Sequence, residues 1–467
     1  MFHKSIKRAV LSHKTLSNFR QYSKTIKQKH PLRKTLDIIK GDFPSVFGKK
    51  DNYLEHADIV IIGGGIIGSS IAYWLKTRAG RGLSVAVIEK DLTFKKAQQS
   101  STFSLNQHFS LPENILLSQY GAEFYRNFNK NMFSNVDIEY CPHGYLVLAS
   151  EKYAENMQYN VTLQREHGVR NELLSPQTIK RRYPWINTED VALGCVGTEL
   201  EGTFNSWSVL NALVQRCKDM GTVYMDAEVT GFELQSQRDV MMEGVPPGSF
   251  KRIYKVQYTS PEGKEMDIKF ASCILAAGAE SANIAKMADV GIGKGLLSIP
   301  LPIKSRKQNI YTLKGDENPI GIGTPLIQDS SGLWFKRNGL MNETLVGHLP
   351  LSTVDSNISE QEYFDTVIKQ PLENRVPVLK NAEIINTSTE CTDYNTYDDT
   401  AIVGPHPYHN NLVIAAGFGG LAYQHAPGIG RAIAELIIDS RYINIELTRL
   451  HFDRLLTSES MVELNIY

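Results

Sequence analysis

Residues Asp58–Ser69 read DIVIIGGGIIGS, and this stretch decides the fold. The β-branched residues before the glycines are typical of a buried strand. A G-x-G-x-x-G pattern runs from Gly63 to Gly68, and an uncharged, helix-like segment continues to Leu75. A strand, a glycine-rich turn and a helix in this order predict the first half of a dinucleotide-binding βαβ unit.

Each glycine of the pattern has a separate physical role. Gly63 allows the tight turn out of the strand, Gly65 lets a pyrophosphate approach the backbone, and Gly68 lets the helix pack closely on the sheet. A second apolar run, residues 85–88, ends at Glu89. An acid at this distance predicts a hydrogen bond with the adenosine ribose.

The uncharged stretch from Ile59 to Leu75 has a second interpretation, as a membrane span. Three consecutive glycines after β-branched residues argue against a continuous helix at that point. We therefore favour the strand–turn–helix interpretation.

The whole chain has 467 residues and a net charge of zero, so it is long enough for two or three domains and predicts no nucleic-acid partner. Its N-terminus is unlike the rest, because ten Lys and Arg residues precede the first acid, Asp37. This composition predicts a mitochondrial transit peptide over residues 1–36, followed by a linker at 37–56. A disordered basic tail is the alternative.

Five cysteines are scattered without a C-x-x-C pair. This spacing argues against a structural zinc site and against a disulfide framework, so no metal is predicted. It suits a reducing compartment such as the mitochondrial matrix.

Further strands and a second glycine-rich loop follow later in the chain. Residues 253–258 and 266–274 predict an antiparallel pair, and residues 271–277 predict a separate central strand that ends at Gly278. Near the C-terminus, residues 411–416 predict another buried strand, which leads into Gly417-Phe418-Gly419-Gly420. Pro427-Gly428-Ile429-Gly430 is then expected to open a helix over 431–438.

With both glycine-rich segments in view, residues 57–450 resemble the D-amino-acid oxidase superfamily of flavoproteins, in the branch with sarcosine and dimethylglycine oxidases and dehydrogenases. The resemblance implies an α/β fold with FAD rather than NAD as cofactor. It implies a Rossmann-like FAD-binding domain over 57–140, 201–297 and 395–467. It also implies a discontinuous, mainly antiparallel-sheet second domain over 141–200 and 298–394.

The resemblance also implies which residues hold FAD. The glycine pattern would meet the pyrophosphate, Val229 the adenine, and the loop at 417–420 with a helix beginning near Gly428 the isoalloxazine and ribityl groups. A helix N-terminus there would stabilise negative charge on the reduced flavin. The predicted cofactor residues are Gly63, Gly65, Ile66, Ile67, Gly68, Glu89, Lys90, Ser101, Val229, Ala277, Gly278, Gly417, Phe418, Gly420 and Gly428.

Longer strings are similar to a mitochondrial group within this superfamily that is associated with assembly of respiratory complex I. The strings are Phe109–Ile115, Gly144–Lys152, Tyr183–Glu189, Asp393–Thr396, Val403–Pro407 and Ala426–Ala432. They imply a matrix protein associated with the inner membrane, whose partners are complex I subunits or assembly intermediates. A working FAD-dependent dehydrogenase or oxidase of an N-substituted amino acid is the alternative, and an NAD(P)-linked dehydrogenase is a third.

Three features depart from the amine-oxidising members. The segment from Ser100 to His108 has no glycine and no arginine. Its Phe103 is expected to crowd the flavin, and a different path of the loop is the alternative. Gln424 lies near the position where some members carry a lysine, and a neutral amide cannot replace an ammonium as a carboxylate partner. Glu390 lies where many members have glycine, and its charge would repel an anionic substrate.

No acid–base pair can be assigned from the sequence. Lys336 and Arg337 follow an aromatic pair and are candidates for a basic group that faces the flavin; a solvated edge strand is the alternative. Four histidines are candidate general bases, with a loop or packing role as the alternative for each: His108, His348, His406 and His425.

Overall fold

A computed structural model describes residues 54–95, 102–197, 199–315, 319–349 and 358–464. The predicted transit peptide, most of the predicted linker and Ser101 lie outside the described residues.

The described residues form the following strands and helices. The strands are β1 (His56–Ile62), β2 (Val85–Glu89), β3 (Thr102–Leu105), β4 (Tyr145–Ala149), β5 (Asn171–Leu174), β6 (Leu193–Gly197), β7 (Gly202–Asn205), β8 (Val223–Asp226), β9 (Glu228–Ser236), β10 (Lys251–Thr259), β11 (Glu265–Leu275), β12 (Ile303–Lys314), β13 (Leu326–Asp329), β14 (Leu333–Arg337), β15 (Glu343–His348), β16 (Glu383–Asn395), β17 (Ile402–Pro405) and β18 (Leu412–Ala416). The α-helices are α1 (Ile66–Ala79), α2 (Pro112–Arg126), α3 (Phe128–Met132), α4 (Glu151–Glu166), α5 (Pro176–Arg182), α6 (Ser206–Asp219), α7 (Ser281–Lys286), α8 (Glu360–Tyr363), α9 (Lys369–Arg375), α10 (Ala422–Asp439) and α11 (Asp453–Thr457).

The first sheet carries the glycine-rich turn. Its order is β17-β18-β11-β1-β2-β8, and β10 and β9 extend from β11. The central strand β1 is parallel to both neighbours, with Ile61 opposite Ile274 on one side and Val87 on the other. Apolar clusters cover both faces of this sheet, and one of them includes helix α1. The predicted Rossmann-like architecture is confirmed.

One prediction for this sheet is wrong: residues 266–277 do not form two strands. Residues 266–275 belong to the single strand β11, whose first half pairs antiparallel with β10 and whose length from Lys269 to Leu275 pairs parallel with β1, and the strand ends before Ala276. The sequence has no turn signal between the halves, so the strand continues. Burial alternates where only one face is covered and becomes continuous from Cys273 to Leu275.

The second sheet faces the cavity described below. Its order is β16-β12-β15-β14-β13-β4-β6-β5, and its pairs are antiparallel except for β13 with β4. The longest pairing joins β12 to β16, from Ile303 opposite Asn395 to Lys314 opposite Glu383. A mainly antiparallel second sheet is therefore confirmed. The exact domain limits stay a prediction.

Helix α10 begins earlier than predicted. It starts at Ala422 rather than near Gly428, and Pro427 lies inside it. Pro427 has no N–H to donate to the Tyr423 carbonyl. The hydroxyl of Tyr125 donates to that carbonyl instead, at 2.5 Å. A partner on a distant helix thus removes the main cost of a proline within the second turn.

The stretch from Ile59 to Leu75 divides between β1 and α1, as the glycines predicted. Within the described ranges, no helix is long and apolar enough to cross a membrane.

Candidate functional site

The first glycine-rich turn combines tight contacts with open space. A Cβ on Gly63, whose φ is +101°, would lie 2.2 Å from the Ala276 carbonyl oxygen. A Cβ on Gly68 would lie 1.9 Å from the Gly63 carbonyl oxygen. A Cβ on Gly65, in contrast, would meet no atom within 4 Å. Two glycines are needed by the protein itself, and the third leaves room for a ligand.

Glu89 lies beside this turn at the end of β2. Its Oε2 accepts the Gly64 N–H at 2.7 Å and its Oε1 accepts the Asp91 N–H at 3.0 Å. A carboxylate oxygen has a second lone pair, so these bonds leave acceptor capacity for a ribose hydroxyl. The ribose contact stays a prediction.

Other predicted cofactor residues lie around the same turn. Ile66 and Ile67 are buried in the first turn of α1, and Val229 is buried in β9. Lys90 is exposed. Gly278 has a φ of +55° and no atom near the position of a Cβ, so the end of β11 also leaves open space.

The second glycine-rich loop is held by a carboxylate that the sequence analysis did not assign. Asp393 Oδ2 accepts the Gly417 N–H at 2.5 Å and the Phe418 N–H at 3.4 Å. Burial raises the pKa of Asp393, and these backbone donors oppose the shift. A Cβ on Gly420 would meet no atom within 4 Å. In the sequence, Asp393 was noticed only as part of the family-like string Asp393–Thr396, which assigned no role to its carboxylate.

Gly428 does not belong to this loop. It lies inside α10, and a Cβ there would be 2.7 Å from Leu117 Cδ2 on α2. Its role is to allow two helices to approach. The predicted helix N-terminus is instead the start of α10 at Ala422, directly after the loop.

A cavity of about 580 Å³ opens beside the second loop. It lies between one face of the second sheet, residues 418–421 and residues 103–109, with the tail at 462–463 at its side. The Phe103 ring lies against that of Tyr423, with centroids 4.4 Å apart and the ring planes 33° apart. Phe103 lines this cavity, and its crowding of the flavin stays a prediction.

The structure separates the two basic candidates on β14. Lys336 and Trp334 line the cavity. Arg337 instead donates to the carbonyls of Ile320, at 2.7 Å, and of Gly339, at 3.1 Å. Successive side chains of a strand point to opposite faces, so Arg337 cannot face the same cavity. Burial lowers the pKa of Lys336 to about 8.

His425 is a poor general base. It lines the cavity but is buried, and its Nε2 lies 3.3 Å from Ser118 Oγ. Burial lowers its pKa to about 3. The imidazole is therefore neutral near pH 7 and holds a proton weakly.

A buried pair was missed by the sequence analysis. His108 Nε2 lies 3.2 Å from Glu201 Oε2, and Glu201 Oε1 accepts the Gln107 N–H at 3.0 Å. Burial alone would lower the pKa of His108, but the Glu201 carboxylate outweighs it and raises that pKa well above the usual value. Gly197 gives the carboxylate room, because a Cβ there would lie 2.2 Å from Glu201 Cδ. Glu201 is more than ninety residues from His108 along the chain, and no sequence pattern predicted that the two would pair.

Gln424 and Glu390 differ in their relation to the cavity. Gln424 is buried and engaged with Asn106 and Ser118. Glu390 lines the cavity from β16, as the sequence predicted for an acid in this strand.

The chain matches the family model described as FAD dependent oxidoreductase over residues 58–436. The chain belongs to this FAD-dependent oxidoreductase family. It is 40% identical over 420 residues to "FAD-dependent oxidoreductase domain-containing protein 1 homolog" of Drosophila melanogaster, covering 89% of this chain and 82% of that protein. It is 23% identical to human mitochondrial dimethylglycine dehydrogenase, covering 85% of this chain and 44% of that protein.

Among solved structures, L-proline dehydrogenase from P. horikoshii has the same fold. The TM-score is 0.72 at 22% identity, and the match covers 88% of this chain and 100% of that one. The cofactor of the family is FAD. The open positions at Gly65, Gly278 and Gly420 fit such a group, because each exposes backbone where a side chain would have met no protein atom.

Proposed function

We propose that this member of the family oxidises a carbon–nitrogen bond of a small amine substrate. The observation that carries the proposal is the cavity, whose lining includes both the second glycine-rich loop and polar side chains of the sheet. A pocket that joins a cofactor loop to a few convergent polar groups is the usual form of a small-molecule site. The names of two relatives support the choice of substrate, since dimethylglycine and L-proline are both amines.

FAD, when bound, supplies the acceptor for a hydride, which carries two electrons. The backbone around Gly63–Gly68 and Ala277–Gly278 would hold its dinucleotide end. The loop at 417–420, fixed by Asp393, would hold the flavin end. Phe103, which lies against Tyr423, forms part of one wall. The first turn of α10 points its free N–H groups toward the loop.

Two histidines of the wall are unsuited to take a proton from the substrate. His425 remains uncharged, and the His108–Glu201 pair is already satisfied within the protein. Neither group is therefore suited to abstract a proton from the substrate. An amine that enters as ammonium would have to release its proton to solvent or to a carboxylate of the wall.

The visible spectrum of the purified protein tests the proposal. We expect flavin absorption after reconstitution with FAD, and bleaching under anaerobic conditions by some member of a panel of N-methylated amines and amino acids. A flavin band that no member of the panel bleaches would contradict turnover. Absence of the band would contradict the whole proposal.

We further propose a mitochondrial role in assembly of respiratory complex I, with partners among its subunits or assembly intermediates. The long strings from Phe109–Ile115 to Ala426–Ala432 support this role, together with the basic, acid-free N-terminus. The same observations support a location in the matrix at the inner membrane. Cells that lack the protein should accumulate less complex I, and normal accumulation would reject the role.

Complementation separates the two proposed functions. Wild-type protein should restore complex I in such cells, and so should a Lys336→Met variant if assembly does not need the cavity. If Lys336→Met bleaches normally but does not restore complex I, the assembly role depends on a surface near β14. If neither protein restores complex I, the assembly role is rejected.

A further inference from the structure

A short segment without helix or strand lies beside the second glycine-rich loop. We call residues 458–464, which follow helix α11, the strap. Its Val462 and Glu463 line the cavity together with Gly419 and Gly420 of the loop. The strap is therefore part of the cavity wall at the end where the flavin is proposed to lie.

Met461 is the first anchor of the strap. Its N–H donates to Asp398 Oδ2 at 3.1 Å, and its carbonyl accepts the Thr400 hydroxyl at 2.6 Å. Asp398 is itself held by Arg454 at 2.9 Å, and all four of these residues are buried. This part of the strap is therefore fixed through groups inside the protein.

Glu463 is the second anchor, and it lies at the start of helix α2. Its Oε2 accepts the N–H and the hydroxyl of Ser110, each at 2.7 Å. Its Oε1 accepts the side-chain amide of Asn114 at 2.7 Å and the Leu111 N–H at 3.3 Å. A carboxylate is well placed at a helix N-terminus, where the first N–H groups have no partner within the helix. We call these four bonds the latch.

The latch is a balance between two opposing effects. Burial raises the pKa of Glu463 because the ionised carboxylate loses its water, and the hydrogen bonds from the start of α2 oppose that shift. On either side of Glu463, the side chains of Val462 and Leu464 are 56% and 53% exposed. They add little packing, so the four bonds of one side chain supply much of what holds this part of the strap in place.

The backbone of the strap is also held by side chains. The Leu464 N–H donates to Ser110 Oγ at 2.7 Å, and the Leu464 carbonyl accepts Asn160 Nδ2 at 2.8 Å. The sheet wall of the cavity is different, because β12 and β16 are joined by a long backbone ladder. Segments with few buried contacts open at a lower free energy than core strands and helices. The strap can thus move while the sheet stays folded.

We propose that the strap is a gate over the flavin end of the cavity, and that release of Glu463 opens it for the entry and exit of FAD. This inference rests on the proposed function, which places the flavin at residues 417–420. FAD would reach from the first glycine-rich turn to this loop, and a ligand held at both ends exchanges only after part of the wall moves. Glu463 is a positioning residue, because it acts by holding the strap.

The rates of FAD exchange test the gate. A gate lies on the path in both directions, so opening it should speed uptake and release by a similar factor. We would follow both rates by flavin fluorescence, using the full chain without FAD for uptake and loaded with FAD for release. Glu463→Ala should accelerate each at least about tenfold, the value of one charged hydrogen bond. The Kd for FAD should change less than about threefold.

Glu459→Ala is the matched control, because Glu459 is an exposed glutamate of the same strap. It should leave both rates unchanged. Faster release without faster uptake in Glu463→Ala would mean that Glu463 supports the FAD site rather than a gate, and it would overturn the inference. Unchanged rates in a folded Glu463→Ala protein would overturn it as well.

Hydrogen exchange of the wild-type protein keeps the gate testable if Glu463→Ala does not fold. The amides of Ser110, Leu111 and Leu464 are bonded at the latch or beside it. Their protection factors should be at least about tenfold lower than that of Ile61 in the central strand β1. Equal protection of these amides and of Ile61 would show that the strap does not open separately from the core.

The exchange experiment is separable from the proposed oxidation. If Glu463→Ala exchanges FAD faster in both directions but no amine bleaches the flavin, the oxidation fails and the gate stands. If amines bleach the wild-type flavin while exchange in the variant is unchanged, the oxidation stands and the gate fails. If the wild-type chain takes up no FAD, both are rejected.

Discussion

Gln424 and Asn106 are joined by two hydrogen bonds between one side-chain amide and one backbone unit. Gln424 Oε1 accepts the Asn106 N–H at 3.2 Å, and Gln424 Nε2 donates to the Asn106 carbonyl at 2.6 Å. Nε2 also donates to Ser118 Oγ at 2.6 Å. A lysine could donate to the same oxygens but could not accept the N–H. The glutamine therefore has a positive role, as the clamp that positions residues 103–109 along the cavity.

Replacement of Gln424 by alanine should destabilise the protein and loosen this segment. The change leaves a buried backbone N–H and carbonyl without their partner, which costs about 1–3 kcal/mol. Urea unfolding of Gln424→Ala would measure the loss. Gln361→Ala is the control, since Gln361 is exposed on α8 and its side-chain amide donates to the exposed Asp365. Equal effects of the two variants would contradict the clamp.

Two glycines of the first turn should respond differently to alanine. Gly65→Ala should leave the apoprotein stable, because the methyl group meets no protein atom and the φ of −62° is ordinary. It should nevertheless weaken FAD binding at least about tenfold, or ~1.4 kcal/mol, because the methyl group fills the space predicted for the pyrophosphate. Flavin titration and thermal unfolding of the apoprotein separate the two quantities.

Gly68→Ala is the matched comparison within the same motif. Its methyl group would lie 1.9 Å from the Gly63 carbonyl oxygen, so helix α1 would have to move from the sheet. We expect a loss of roughly 1–3 kcal/mol in the free energy of unfolding, even without FAD. A stable Gly68→Ala apoprotein, or a Gly65→Ala protein with normal FAD affinity, would show that the roles are wrongly assigned.

The cofactor turn was predictable because its information is local. Gly63, Gly65, Gly68 and Glu89 are fixed by one strand, one turn and the next strand, and their spacing is visible in the sequence. The orientation of Lys336 and Arg337 was also accessible in principle. The two residues are consecutive in β14, so strand alternation places them on different faces, and Arg337 shares the face of the fully buried Phe335.

The rest of the site depends on contacts between distant residues. Pro427 suggested a helix start, but the structure continues the helix through it because Tyr125, 298 residues before Tyr423, takes the freed carbonyl. The ion pair with Glu201 keeps His108 charged, and Asp393 holds the loop at 417–420. A single sequence gives no measure of which side chain will meet which backbone group across such separations.

Two buried neutral histidines should make the protein sensitive to acid. Burial lowers the pKa of both His406 and His425 to about 3, against an unfolded value near 6.5. Between these values the unfolded chain binds more protons than the folded one, so stability is full above pH 6.5 and falls as pH decreases. Each histidine contributes a slope of about 1.4 kcal/mol per pH unit in that window.

The variant His425→Gln tests this slope. Unfolding free energies measured from pH 7 to pH 5 should fall less steeply in His425→Gln than in the wild type. His143→Gln is the control variant, because His143 is exposed. Parallel pH profiles for His425→Gln and the wild type would show that the imidazole accepts a proton in the folded state.

The buried ion pair behind the second sheet should be more important for stability than its surface counterpart. Arg375 Nε lies 3.0 Å from Asp329, both side chains are almost completely buried, and the guanidinium also binds Asp190 at 2.8 Å. Arg375→Met would leave the Asp329 charge buried without its partner, which costs about 3–5 kcal/mol. The exposed pair of Arg182 with Glu172, at 2.7 Å, should cost less than about 1 kcal/mol in Arg182→Met. Urea unfolding of the two variants measures both losses of unfolding free energy. Similar losses would mean that Asp329 finds water or another donor when Arg375 is absent.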